Sequence, residues 1–86
     1  MNNCWLEITE NEIIYKSISE YGGITQHFNT NGKLHKLDGP ACIHSDNTNF
    51  YVYEFWVNGK QIGKWTSMDN PNLLRELEFK VMLYAE

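Results

Sequence analysis

No run in this sequence approaches the roughly 18 consecutive apolar residues of a membrane-spanning helix, and the N-terminus has neither a basic n-region nor an apolar leader. A membrane protein is therefore not expected, and the chain reads as cytoplasmic. Cysteine is scarce: Cys4 and Cys42 are the only two in 86 residues and have no C-x-x-C spacing. Both fall in segments that read as strands, so the expectation is two small buried hydrophobes rather than a disulfide framework. Positive charge is also short, with seven Lys and Arg against eleven Asp and Glu and a net charge of −4. A dedicated nucleic-acid binder takes its affinity from basic side chains on phosphates, and this balance argues against one.

Patterns that carry chemistry are equally thin. Gly32-Lys33 and Gly59-Lys60 lie in turns with no helix following, which rules out a phosphate loop. His27, His35, His44 and Cys42 are the soft ligands on offer. Cys42 and His44, at i and i+2 of one strand, point to the same side. Zinc sites normally show two close pairs, and no second pair is present, so neither a metal nor any other cofactor is expected. Cys42 with His35 and Asp38 is the nearest approach to a nucleophilic set, and nothing in the sequence holds them in a pocket. Glu7, Glu10 and Glu12 surround a hairpin tip and read as solvated. No catalytic residue is assigned, and the chain is not expected to be an enzyme.

What is present is core-forming sequence, 42% hydrophobic and 14% aromatic, enough for one domain with one modest core. The organising stretch is Asn31-Gly32-Lys33-Leu34-His35-Lys36-Leu37-Asp38-Gly39-Pro40-Ala41. Asn-Gly suits a two-residue type I′ hairpin loop, whose central residues both need positive φ. Phe28 to Thr30 should then run antiparallel to Lys33 to His35. Asp38-Gly39-Pro40 breaks that strand, and another starts at Ala41. Because the first turn anchors this hairpin, Gly32→Val is expected to cost more stability than Gly59→Val.

These eleven residues resemble the MORN-like β-hairpin repeat, in the variant spelled roughly NGKLHRxDGPA that occurs in small bacterial and bacteriophage proteins. A degraded second copy follows, with Phe55, Asn58, Gly59 and Lys60 matching Phe28, Asn31, Gly32 and Lys33. It lacks the His and the Asp-Gly-Pro. The resemblance covers about half the chain and implies a hairpin scaffold, in which His35 would bond the backbone of the Asp38-Gly39-Pro40 turn.

Along the rest of the chain, Trp5 to Thr9 and Glu12 to Lys16 read as a hairpin turning at Glu10-Asn11. Ser17 to Gly23 is expected to be a loop, followed by strands at 24–28 and 41–44. Asn49 to Val57 is the strongest strand: Tyr51, Tyr53, Phe55 and Val57 project from one face, Phe50, Val52 and Trp56 from the other. A strand apolar on both sides needs two covers. One is a helix capped by Asn70 with Pro71 in its first turn. Its core stripe is Leu73, Leu74, Leu77, Val81 and Tyr84, while Phe79, Met82 and Leu83 occupy a separate sector flanked by Arg75 and Glu76.

The fold expected is α+β, a meandering antiparallel sheet of about six strands built from hairpins and packed on one C-terminal helix. It forms a single domain over 1–86, with the sheet in 1–68 and the helix in 69–86. The function expected is a small protein-binding module. The repeat resemblance implies an inhibitor or antitoxin-like protein that blocks a bacterial defence or toxin protein, acting in the host cytoplasm if phage-encoded. Phe79, Met82, Leu83 and Arg75 on the helix, with Lys33, Lys36, Lys60 and Trp56 around the hairpins, are the expected partner-binding residues. The helix group could also join two copies of the chain. The alternatives are an RNA-binding module using the hairpin lysines and aromatics, and a structural subunit of a larger assembly.

Overall fold

The computed structural model describes residues 3–84. Six strands, β1 (Asn3–Ile8), β2 (Ile13–Ser19), β3 (Gly22–Phe28), β4 (Cys42–Ser45), β5 (Tyr51–Val57) and β6 (Lys60–Thr66), precede helix α1 (Pro71–Tyr84). The strands lie in one sheet in chain order, each antiparallel to the next, which is the α+β meander expected. Asn70 caps the helix as its sequence suggests: its Oδ1 accepts the Asn72 N–H at 2.8 Å and its carbonyl the Leu73 N–H at 3.0 Å. Residues 85 and 86, expected as the last of the helix, lie outside the described residues.

Residues paired across an antiparallel ladder share a face, so the register sorts the sheet into two sides. One side presents Tyr51, Tyr53, Phe55 and Val57 of β5, Ile43 of β4, and Gly63 and Trp65 of β6. Helix α1 lies on this side and reaches only β5 and β6. Phe55, Val57, Ile62, Leu77 and Val81 form the core, with Tyr53, Trp65 and Leu74 packed around it. Ile62 joins the core through a bulge: Phe55 pairs with Gly63 and Trp56 with Gln61, leaving Ile62 as the extra residue. The helix stripe is narrower than expected. Leu77 and Val81 are buried and Leu74 partly so, but Leu73 and Tyr84 are exposed. They sit at the edge of the sector because the helix axis turns Leu74, Leu77 and Val81 onto the sheet, and the Tyr84 ring instead lies under Lys60 Nζ at 5.0 Å.

The two Asn-Gly turns differ from expectation. Around Asn31-Gly32 only Gly32 has positive φ (80°), and its N–H bonds the Asn29 carbonyl while the Asn29 N–H bonds the Lys33 carbonyl. This is a longer turn with a left-handed glycine at its end, not the two-residue type I′ loop, and the expected antiparallel pairing is present but reduced to a single bridge, Phe28 to Leu34. The second Asn-Gly makes the two-residue loop. Asn58 and Gly59 both have positive φ (50° and 82°) between the paired Val57 and Lys60.

After the first turn the chain enters the column between β3 and β5. The His35 N–H bonds the His27 carbonyl at 2.9 Å and the Lys36 N–H the Trp56 carbonyl at 3.1 Å. It leaves over Leu37 to Pro40 and returns at Ala41, whose carbonyl accepts the His27 N–H at 2.7 Å and whose N–H bonds the Glu54 carbonyl at 2.9 Å. Asp38-Gly39-Pro40 therefore breaks the strand as its composition requires, but the strand resumes in the same column. His35 is structural, yet its partner is not the turn expected: its Nδ1 accepts the Asn58 N–H at 3.0 Å, and Asn29 Nδ2 donates to Asn58 Oδ1 at 3.1 Å, tying the two turns together.

Ser17 to Gly23 is not a loop. Strand β2 runs to Ser19 and β3 starts at Gly22, leaving Glu20-Tyr21 as the turn. The Gly-Gly pair marks a close approach, since a side chain at Gly22 would collide with the Ser45 carbonyl. Asn47 fastens the β4–β5 turn to this end by donating to the Glu20 carbonyl at 2.6 Å.

Candidate binding surface

The side of the sheet away from α1 carries Cys4, Leu6 and Ile8 of β1, Ile13, Tyr15 and Ser17 of β2, and Ile24, Gln26 and Phe28 of β3. Across β4 to β6 it continues with Cys42, His44, Val52, Glu54, Trp56, Lys64 and Thr66. No helix lies over it among the described residues, and the Cα envelope of 41 × 34 × 15 Å has room for one sheet and one helix only. Edge strand β1 is exposed along its whole length, with Leu6 and Ile8 at 57% and 70% exposure. The second cover that the β5 sequence calls for is not supplied from within the described chain.

The residues expected to bind a partner fall in three places. Phe79, Met82 and Leu83 are exposed at 62%, 59% and 57%, with Arg75 exposed beside them, on the side of α1 turned away from the sheet. Lys33 and Lys60 are exposed near the tied turns; the Lys33 stem packs beside Gly59. Lys36 is drawn into an ion pair with Asp38 at 3.1 Å. Trp56 stands on the bare side of the sheet. Lys60, paired with Val57, is on the helix side of the sheet, opposite Trp56.

The bare side also holds a polar cluster. Cys42 Sγ is 3.1 Å from His44 Nε2, and the same nitrogen is 3.3 Å from Glu54 Oε2. Glu54 Oε1 accepts the Trp56 indole N–H at 3.1 Å. Burial, reinforced by the Glu54 carboxylate, pushes the Cys42 thiol up to about 11. A Cys–His–acid relay needs the thiol and the acid on opposite ring nitrogens, whereas here both meet Nε2, and a protonated thiol is a poor nucleophile. Sequence spacing pointed to Cys42 and His44 but missed Glu54. The turn composition alone did not locate it: the residues between β4 and β5 are 46–50, centred on Thr48, and only with that loop known does reflecting Cys42 land on Glu54, its actual partner.

Cys4 is not the buried hydrophobe expected. It is exposed because β1 is an uncovered edge, and hydrogen bonds with Ser17 and Tyr15 lower its thiol below the usual range. Glu12 is not simply solvated either, as its carboxylate lies 3.5 Å from His27 Nδ1. That nitrogen is buried without a hydrogen-bond partner. Burial, then the Lys36 charge, hold the His27 imidazole below its ordinary value, against a smaller opposing pull from Glu12.

A shallow depression of about 250 Å³ lies among Ser17, Tyr21, Ile24 and Ser45, and no carboxylate, histidine, cysteine or lysine lines it. No helix of the described residues is long and apolar enough to cross a membrane. Set against protein-family models, curated proteins and solved structures, the chain matches none.

Proposed function

We propose that this chain is a protein-binding module that acts by occupying a partner's surface, in the manner of an inhibitor or antitoxin. The observation that carries this reading is the bare sheet face, where exposed Leu6 and Ile8 and half-buried Ile13, Ile24, Phe28, Val52 and Trp56 share a plane that no helix covers among the described residues. The six adjacent strands, four to seven residues long, make this one continuous face, comparable with the about 800 Å² per partner of a standard interface. The occupant fitting this face is an apolar protein surface. Few charges stand there, and the hairpin lysines that an RNA would need are divided between an ion pair and the turn end. The helix group Phe79, Met82 and Leu83 is a second exposed apolar surface and points the other way.

The test is affinity capture with nuclease and at 0.5 M salt, repeated with Leu6→Lys/Ile8→Lys and with Phe79→Ser/Leu83→Ser after circular dichroism shows both variants folded. A stoichiometric protein lost only with the first pair supports the reading. Loss only with the second moves the interface to the helix. Sedimentation of the pure chain as a stable dimer that the first pair dissociates would make the occupant a second copy. A complex that nuclease or salt dissolves would replace the reading with the RNA one.

A further inference from the structure

We propose that Cys42, His44 and Glu54 form a binding site for a divalent transition metal, zinc by the character of its donors. The donor atoms, one from each residue, all lie within 4.8 Å of one another. Thiolate, imidazole and carboxylate around one tetrahedral zinc, with bonds of about 2.0–2.3 Å, stand about 3.3–3.6 Å apart. The 3.1 Å from sulfur to nitrogen and 3.3 Å from nitrogen to oxygen are already close to that spacing. That one nitrogen faces both other donors, which defeats a relay, is what a shared metal requires.

The scaffold is rigid. Cys42 and His44 are i and i+2 on β4, and Glu54 is the directly paired neighbour of Cys42 on β5, so the three stand on one face of two central strands. The Trp56 indole N–H takes up Glu54 Oε1, leaving Oε2 turned to the imidazole, the outer-shell arrangement that orients a carboxylate ligand. One sulfur and one nitrogen donor disfavour magnesium and calcium, which take oxygen sets. Binding displaces the Cys42 thiol proton to solvent. Three protein ligands leave the fourth position for water, on the side where the His44 side chain is 42% exposed.

The experiment uses the full chain, freed of metal by chelation and titrated with Zn(II), and in parallel with Co(II), whose thiolate charge-transfer absorption reports a sulfur ligand. One equivalent should bind, with the charge-transfer band, and at a hundredfold excess over Kd the melting temperature should rise on the order of 10 °C. Cys4→Ser should keep all three signals. Cys42→Ala should lose the band. His44→Ala and Glu54→Gln, at positions outside the buried core, should weaken binding at least tenfold while the metal-free melt stays near that of the parent chain. Absence of saturable binding, a band that survives Cys42→Ala or disappears with Cys4→Ser, or undiminished affinity in His44→Ala would each overturn the proposal.

Discussion

Gly63→Ala tests whether the helix seats on the sheet as described. Gly63 is opposite Phe55 on the helix side, and a Cβ there would come more than 1 Å inside the roughly 3.5 Å of ordinary contact with Leu77 Cδ2, while Cγ and Cδ1 of the same side chain are at normal range. Leu77 is 8% exposed and belongs to the core with Phe55 and Val81, so it has little room to turn aside. Either it leaves its rotamer or α1 lifts from β6, and overpacking of this kind costs about 1–3 kcal/mol. In a domain of this size that lowers the melting temperature by roughly 4–8 °C per kcal/mol.

The decisive assay is a double-mutant cycle by urea unfolding. Leu77→Ala alone should cost about 2–5 kcal/mol, because it empties the site. In that background Gly63→Ala should be neutral or slightly stabilising, since the clash is gone and alanine restricts the unfolded chain more than glycine does. The expected coupling is therefore of the same size as the clash, at least about 1 kcal/mol. A Gly63→Ala variant as stable as the parent, or one costing the same in both backgrounds, would mean that α1 does not pack on β6 through Leu77.

Three further outcomes are expected. Gly59→Ala should destabilise more than Gly32→Ala, the reverse of the order read from the sequence. Both positions require positive φ, but a Cβ at Gly59 would press on the Lys33 stem at 3.3 Å whereas Gly32 faces open space; equal losses in thermal melts would refute this. With a thiol reagent at pH 8, Cys4 should react in a fast phase that Cys4→Ser removes, and Cys42 only as fast as the protein opens; a fast Cys42 would contradict its burial and its thiol value of about 11. The folded imidazole of His27 sits below 6.5, so the unfolded chain takes the proton first: stability should fall as pH drops through about 6.5 and level off below the folded value. His27→Gln should flatten the profile between pH 8 and 5 relative to the parent, and an unchanged difference across that range would show that His27 does not titrate with folding.

The helix, its cap and the alternating faces of β5 were legible because they depend on local periodicity, and Asn70-Pro71 and the 51–57 pattern are complete in themselves. Turn geometry was not. Asn31-Gly32 and Asn58-Gly59 are the same dipeptide, and what separates them is the Asn29 carbonyl and side chain, which capture the N–H groups of 31, 32 and 33 and lengthen the first turn. Gly22-Gly23 read as a loop because glycine signals both turns and close strand approach, and only the position of Ser45 decides between them. Glu54 escaped for the reason that a ligand twelve residues away is brought near only by strand register. The bare face escaped because β1 to β3 show no covered side until the strand order is known.

The geometry of cover explains why this chain keeps so much apolar surface exposed. An α-helix is about 10 Å across and strands are about 4.8 Å apart, so one helix shields about two strands of one face. Here α1 shields β5 and β6, and the core beneath it is accordingly small: Phe55, Val57, Ile62, Leu77 and Val81. Strands β1 to β3 are held chiefly by their ladders and by cross-strand pairs such as Lys16 with Glu7, a contact of 3.8 Å between partly exposed groups that is worth at most about 1 kcal/mol. Such a region has low stability of its own and gains most from an external cover. A partner seated on Leu6, Ile8, Ile13 and Ile24 would bury apolar surface that folding leaves open, so binding and the ordering of β1 to β3 would be linked, each strengthening the other by the same free energy.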